Sequence, residues 1–266
     1  MIVTVANLKG GVGKTTSVVN LAAALADLGQ TVLVVDLDPQ GNATTGLGVS
    51  SRTENPGIYD VLIDDLPMAD AAVVVPESQR VTLIPASLDL AGAEIELVSM
   101  VAREYRLQKA LRGYLEEHPA DVVLIDCPPS LGLLTLNALV AAEEILIPIQ
   151  CEYYALEGLG QLIRTVEMVK QHLNPGLKIS AILLTMTDSR TRLSDQVADE
   201  VRAFFGELVL TTVIPRSVRL SEAPGYGRSG LAYDPKSPGA VAYRAAAAEL
   251  RSTTIDLTQT TQAVQA

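Results

Sequence analysis

Short apolar runs and helical patterns alternate along almost the whole chain. "MIVTVAN" (1–7), "TVLVVDLD" (31–38), "RVTLIPA" (80–86), "ADVVLIDCP" (120–128), "EEILIPIQ" (143–150), "KISAILLTM" (178–186) and "LVLTTVIP" (208–215) are dense in Val, Ile and Leu. That is the pattern of strands buried on both faces. Between them, apolar spacing predicts a helix over 15–29 closed by Gly29, further helices near 90–117, 131–142, 156–172 and 190–205, and an Ala-rich helix at 239–251. Strand–helix alternation with short connections predicts an α/β fold, a single doubly wound, mostly parallel β-sheet flanked by helices.

Residues 39–79 form the loosest segment, rich in Gly, Thr, Asp and Pro, and predict switch-like loops with a short helix around 58–63. The end "STTIDLTQTTQAVQA" (252–266) is Thr/Gln-rich with Asp256 as its one charge. It reads as a frayed or disordered tail, leaving 1–251 as the folded domain.

Composition sharpens this picture in three ways. Aromatic residues make up 4% of the 266 residues and Trp is absent, so Ala, Val, Leu and Ile must build the core. A formal charge of −11 argues against a protein that coats nucleic acid, though it leaves room for a local basic patch. Cys127 and Cys151 fit no metal-ligand spacing and read as reduced core thiols of a cytoplasmic protein. Met1 runs straight into "IVTVA" with no basic leader, and no apolar run approaches the ~20 residues that span a bilayer.

The chemistry concentrates after the first strand, in "KGGVGKTT" (9–16). A Gly-rich loop between a strand and a helix is the setting of a phosphate-binding P-loop. Gly10, Gly11 and Gly13, with Val12 between them, let successive N–H groups curl around one anion, and the helix N-terminus adds its dipole. Lys14 is placed to reach the β- and γ-phosphates, the Thr15 hydroxyl to ligate Mg²⁺, and Thr16 to bond the α-phosphate. The loop has a misfit, however. The general pattern G-x-x-x-x-G-K-[ST] wants Gly where this chain has Leu8, and a second cation, Lys9, follows.

Two acidic elements accompany the loop. "VVLIDCPPS" ends a buried strand at Asp126, where a carboxylate orients a water on Mg²⁺; a strand-end Asp can also simply cap the next helix. "VVDLDPQGN" places Asp36 and Asp38 at another strand's carboxyl edge. Asp38, further into the loop, is the candidate to orient or deprotonate an attacking water, although Asp38-Pro39-Gln40-Gly41 also reads as a plain turn. Asp36 reads as an outer-shell or structural carboxylate.

"KGGVGKTT" (9–16), "DLDPQGNAT" (36–44), "LIDCPPSLG" (124–132) and "PRSVRLSEAP" (215–224) together resemble the deviant Walker-A ATPases, and within them the ParA/Soj partitioning proteins, over roughly residues 1–250. The resemblance implies a P-loop ATPase domain that uses ATP and Mg²⁺, with Lys9, Lys14 and Asp38 as catalytic residues. It gives Lys9 a role across a homodimer interface, on the partner's bound nucleotide, so that two ATP molecules are sandwiched between two subunits. It places Pro215 near the base, and Ser217 where relatives often carry Asn. "TMTD" (185–188) stands where GTPases keep N-K-x-D, but the Asn and Lys of that motif are missing, which favours adenine.

By the same resemblance the ATP-bound dimer binds double-stranded DNA without sequence preference, and a ParB-like centromere-binding protein stimulates hydrolysis and release. The expected place is the cytoplasm, associated with the nucleoid and not with membrane. Arg190 and Arg219 match DNA-contact positions, with Arg192 and Arg216 as neighbours. Residues 187–251 carry 9 Lys/Arg against 8 Asp/Glu, so the acidic excess lies earlier in the chain. A relative that positions another cargo by the same cycle is the main alternative. A MinD-like membrane-cycling protein would need a basic amphipathic end, and the tail after Arg251 has no Lys or Arg. With the first strand starting at residue 2, no operator-specific DNA binding is expected.

Overall fold

The computed structural model of the chain describes residues 1–50, 55–152, 159–188 and 190–264, with side chains described as far as Arg251. The strands are β1 (Ile2–Val5), β2 (Val32–Asp36), β3 (Val73–Val74), β4 (Val81–Ile84), β5 (Val122–Asp126), β6 (Glu144–Gln150), β7 (Lys178–Thr187) and β8 (Val209–Pro215). They form one 8-stranded sheet in the order β3-β4-β2-β5-β1-β6-β7-β8. Every pair is parallel except β3–β4, where β3 lies antiparallel on the sheet's edge. The doubly wound sheet is thus as the apolar runs predict. The addition is β3, whose two residues are too few to carry any periodicity.

Alternation along each strand decides which core a side chain enters. Val32 and Val34 of β2, Val122 and Leu124 of β5, and Leu146 of β6 join the core covered by helices Lys14–Asp27 and Pro238–Val264. Leu33, Val35, Val123, Ile125, Ile145 and Ile147 point the other way, under helices Arg106–Glu117, Leu133–Ala141, Leu159–His172 and Arg192–Phe205. In the first core the hydroxyls of Ser17 and Tyr243 share a hydrogen bond of 3.1 Å, which satisfies both buried polar atoms where the two helices meet. Helix Lys14–Asp27 ends as expected: Gly29 takes φ +89°, and the N–H of Gln30 reaches back to Leu25 O at 3.1 Å.

Three segments differ from the sequence pattern. The predicted run 90–117 is two helices, Leu90–Leu97 and Arg106–Glu117, with Ala102 in left-handed backbone (φ 52°) between them. The loose segment 39–79 holds Asn42–Gly46 and Met68–Ala71 as well as the expected Ile58–Ile63. The Ala-rich helix is Pro238–Val264, and the expected tail 252–266 falls where side chains, and at 265–266 the backbone too, lie outside the described residues.

What matters for function is the carboxyl edge of the central strands. β1 lies between β5 and β6, and β5 lies between β1 and β2, so the loops leaving β1, β2 and β5 open side by side. Register brings Val5 opposite Asp126 and Asp126 opposite Asp36. Ligands of open parallel sheets bind at such an edge. Among the described residues no helix is long and apolar enough to cross a membrane.

Candidate nucleotide and metal site

The loop after β1 is built by its glycines and by two outside anchors. Gly11 and Gly13 take φ +75° and +89°, conformations that only glycine adopts cheaply, and Gly13 caps helix Lys14–Asp27. Gly10 is not left-handed, and a Cβ there would meet nothing within 4 Å, so the local backbone does not require glycine at that position. The Thr185 hydroxyl, at the end of β7, donates to Val12 O at 2.8 Å. Asn7 donates to Pro148 O at 2.7 Å and accepts from the N–H of Lys9 at 3.0 Å. The loop is therefore held from β6 and β7 at once.

The three carboxylates beside the loop are bonded very differently. Asp36 is fully buried and saturated: Oδ1 accepts from the N–H of Asp38 at 3.1 Å, and Oδ2 accepts from both the N–H and the hydroxyl of Thr44 at 2.8 Å. The Thr44 hydroxyl in turn accepts from the N–H of Ala86 at 3.0 Å, tying β2 to the segment after β4. Burial pushes the Asp36 carboxyl up to about 6, against the pull of these bonds. Of the two roles expected for Asp36, outer-shell or structural, these bonds favour the structural one.

Asp38 closes an Asx turn, its Oδ1 accepting from the N–H of Gln40 at 3.0 Å, and the N–H of Gly41 donates to Asp38 O at 2.8 Å. The plain-turn reading is thus part of the truth. It leaves Oδ2 with no hydrogen bond among the described residues.

Asp126 is the outlier. It is fully buried, and neither carboxylate oxygen has a hydrogen-bond partner. The Thr15 hydroxyl stands near enough to draw its pKa down somewhat without making a hydrogen bond of normal geometry. Burial above all, then the neighbouring Asp36 charge, hold Asp126 well above the usual carboxylate range. Lys14 is buried next to it, its pKa lowered by desolvation against the attraction of Asp126 and Asp38. Among the described residues its ammonium makes one hydrogen bond, a long one of 3.4 Å to Lys9 O. An orphaned buried carboxylate, a desolvated ammonium and a loop of N–H groups form a site whose bonds are incomplete without a ligand.

The donor set fits Mg²⁺ with a polyphosphate better than a cation alone. No cluster of three or more His, Cys, Asp or Glu that could hold a metal occurs among the described residues. Mg²⁺ keeps waters and phosphate oxygens and needs only one or two protein ligands. Thr15 and Thr16 also line a cleft of about 260 Å³ with Asn20, Asn42, Leu220 and Arg228.

Lys9 lies outside this constellation. Its Nζ is 3.8 Å from Glu152 Oε2, at the solvent face, and Glu152 Oε1 is 3.5 Å from Arg216. Pro215 pairs in register with Thr187, two residues beyond the loop anchor Thr185, and Ser217 begins helix Val218–Glu222 without a side-chain cap. The loops carrying Arg190 and Arg216 are thereby neighbours. Each of three arginines is already paired: Arg190 with Asp188 at 2.7 Å, Arg216 with Glu152, and Arg219 with Glu222 at 3.0 Å and Asp234 at 3.5 Å. Arg192 starts its helix and has no ion pair among the described residues.

Sequence reasoning missed Thr44, Thr185, Asn7 and Glu152. Thr44 stands inside the quoted "DLDPQGNAT" and Thr185 inside "TMTD", but their partners lie 8 and 173 residues away.

A family model described as "AAA domain" matches residues 1–179. The chain is 52% identical over 242 residues to the sporulation initiation inhibitor protein Soj of Bacillus subtilis, covering 91% of this chain and 94% of that one. It is 51% identical to the chromosome partitioning protein ParA of Caulobacter vibrioides, covering 94% of each. Among solved structures it matches a Mycobacterium smegmatis protein named cobyrinic acid a,c-diamide synthase, with bound ATP analog and magnesium (TM-score 0.80, 43% identity, 92% of each chain). It also matches the cell division ATPase MinD of Pyrococcus furiosus (TM-score 0.77, 28% identity, 94% of this chain and 98% of that one).

Proposed function

The chain belongs to the ParA/Soj family of chromosome-partitioning ATPases, and from this premise we propose that it is an Mg²⁺-dependent ATPase whose triphosphate-bound dimer holds DNA and lets go on hydrolysis. The observation that carries the nucleotide reading is the unpartnered, fully buried Asp126 carboxylate facing Thr15 and the desolvated Lys14. ATP with Mg²⁺ supplies the missing charge there and a phosphoanhydride that water can cleave.

Each residue's part follows from its place. The N–H groups of 10–16 bind the phosphate oxygens, and the Lys14 ammonium neutralises charge on the β- and γ-groups. Thr15 and Asp126 are the residues that would hold Mg²⁺, Thr15 through its hydroxyl and Asp126 through a water. The free Oδ2 of Asp38, on a loop whose shape Asp36 and Thr44 fix, orients the attacking water and accepts its proton. Lys9, set apart from its own loop's phosphate cradle, serves the nucleotide of a second subunit and makes dimerisation depend on the γ-phosphate.

Arg190, Arg192, Arg216 and Arg219 supply the DNA-facing cations, doubled in the dimer, and a centromere-binding partner stimulates release. The protein then works on the nucleoid in the cytoplasm. Steady-state ATP hydrolysis with and without duplex DNA tests the core of this reading. Lys14→Ala should abolish it, and hydrolysis unchanged by that substitution would remove the assignment.

A further inference from the structure

The carboxyl end of β7 is irregular. Leu184 pairs with Val213 and Thr187 with Pro215, so β7 takes three steps where its neighbour β8 takes two. The residue in excess makes a bulge, and within it Met186 adopts left-handed backbone, φ 51°. That conformation suits glycine and strains a larger residue, and methionine has no polar group with which to offset the strain locally. The chain is held on both sides of it. Thr185 is still in register with Gln150 of β6. Beyond the bulge, Thr187 O accepts from the N–H of Arg216 at 3.0 Å, and the Thr187 hydroxyl donates to Ile214 O at 3.4 Å.

The bulge changes what β7 presents to the phosphate loop. In a regular strand, successive side chains point to opposite faces. Here Thr185 and Met186 both reach Gly13. The position that a Cβ on Gly13 would occupy is 3.7 Å from the Met186 Cε methyl and 3.8 Å from Thr185 Cβ and Cγ2. The Thr185 hydroxyl also bonds Val12 O at 2.8 Å, so the peptide joining Val12 to Gly13 has a polar anchor in one residue and an apolar one in the next. Gly13 is the residue that turns the loop into helix Lys14–Asp27, at φ +89°, and its O accepts from the N–H of Ser17 at 2.8 Å.

We propose that Met186 is a positioning residue of the nucleotide site: the strained bulge holds its thioether over Gly13, and this contact fixes the phosphate loop in the shape that binds a triphosphate. It rests on the nucleotide reading above and deepens it. Core packing does not explain the residue, because Met186 is partly buried and among the described residues both hydrophobic cores are built without it. Without a role at the loop, glycine would serve this backbone better. A long, unbranched, polarisable side chain that fills an irregular gap is what the contact with Gly13 asks for. Val12 and Lys9 are braced by hydrogen bonds to Thr185 and Asn7, whereas Gly13 has no side chain to bond and is braced by packing.

The test compares Met186→Ala and Met186→Leu with the parent in the full chain, by amide hydrogen exchange at Ser17 without nucleotide and by MgATP affinity. Alanine keeps the strained backbone and removes the thioether, and leucine keeps an apolar side chain of similar size. In Met186→Ala the Ser17 amide should exchange roughly fivefold faster or more, while Leu25, further along the same helix, keeps the parental rate. MgATP should bind about tenfold more weakly. Met186→Leu should restore both to within about twofold, as volume-conserving apolar exchanges do. Parental exchange at Ser17 in Met186→Ala overturns the proposal; if MgATP binding is nonetheless weaker, Met186 acts on the nucleotide directly and not through the loop. Faster exchange at Leu25 as well would make Met186 a packing residue of the whole helix and overturn it too. If the parent binds no MgATP, the nucleotide reading itself fails, and exchange at Ser17 still tells whether Met186 braces the loop.

Discussion

Asp36 and Asp126 end neighbouring strands in direct register, both fully buried, yet Asp36 accepts three hydrogen bonds and Asp126 accepts none. The same sheet edge thus carries one carboxylate that shapes the site and one that waits for a ligand. Asp126 is held well above the ordinary carboxylate range by burial, so without ligand the folded state binds its proton more tightly than the unfolded chain. The sign follows: its contribution to stability falls as pH rises from about 4 toward that raised value. Asp126→Asn should therefore raise the nucleotide-free melting temperature at neutral pH, by the equivalent of about 1 kcal/mol, and abolish Mg²⁺-dependent hydrolysis. A thermal melt and an ATPase assay on one sample check both halves.

Thr44 is the hinge pin between β2 and the segment after β4. Its hydroxyl donates to Asp36 and accepts from the N–H of Ala86, all of it buried. Thr44→Val keeps the shape and leaves the N–H of Ala86 without an acceptor, which costs about 1–3 kcal/mol. It also removes a bond that holds the Asp36 pKa down. Urea unfolding should report the loss, and an unchanged midpoint would mean that the Asp36–Thr44–Ala86 chain is incidental.

Lys9 separates function from stability. Its contact with Glu152 is long at 3.8 Å, with both side chains well exposed, and such pairs contribute about 0–1 kcal/mol. Lys9→Ala should leave the melting temperature within a degree or two of the parent and leave nucleotide binding intact, yet eliminate dimerisation with ATP. Sedimentation with ATP against ADP is the deciding measurement. A Lys9→Ala chain that still dimerises would place its role on its own nucleotide.

The fold was readable because a sheet buried on both faces writes itself as dense Val/Ile/Leu runs, and the phosphate loop because left-handed backbone at Gly11 and Gly13 demands glycine in sequence. The residues that brace the loop were not readable. Thr185 holds Val12, and Asn7 holds the loop to β6, across sequence separations that only the parallel register brings together. The break in 90–117 was hidden for a related reason: Leu90, Leu97, Leu107 and Leu111 are all buried, so apolar spacing continues across Ala102, where the backbone turns. Ile95, Val98 and Val101 were absorbed into that same run, since exposed apolar residues look like core residues when only the pattern is seen.

Glu249 is where acid should first loosen the domain's second core. Its carboxylate accepts from the N–H groups of Thr211 at 2.6 Å and Thr212 at 3.0 Å, clamping helix Pro238–Val264 to β8. Partial burial raises its pKa, but these bonds outweigh it and the net shift is downward. A lowered folded pKa contributes stability above the unfolded value near 4.3 that is lost as pH falls through the folded one. Glu249→Gln should cost about 1 kcal/mol at pH 7, and the gap to the parent should close in urea titrations carried out below pH 4. A gap that persists in acid would assign the effect to packing instead.

Arg219 tests the DNA surface against its own acids. Its guanidinium is half exposed and shared between Glu222 and Asp234, so a phosphate must compete with two carboxylates already in place. Binding by a single subunit should be weak, and useful binding should need the doubled patch of a dimer. Each phosphate contact contributes roughly 0.9 to the slope of log K against log salt, so Arg219→Glu, acting in both subunits, should flatten that slope by about 2 and abolish retention near physiological salt. Glu222→Gln should act oppositely, freeing Arg219 and tightening DNA binding without touching nucleotide. Both should dimerise with ATP as the parent does, because neither side chain belongs to the phosphate cradle. Fluorescence anisotropy on duplex DNA across a salt series reads all of this, and an Arg219→Glu dimer that keeps the parental slope would move the DNA-facing cations away from helix Val218–Glu222.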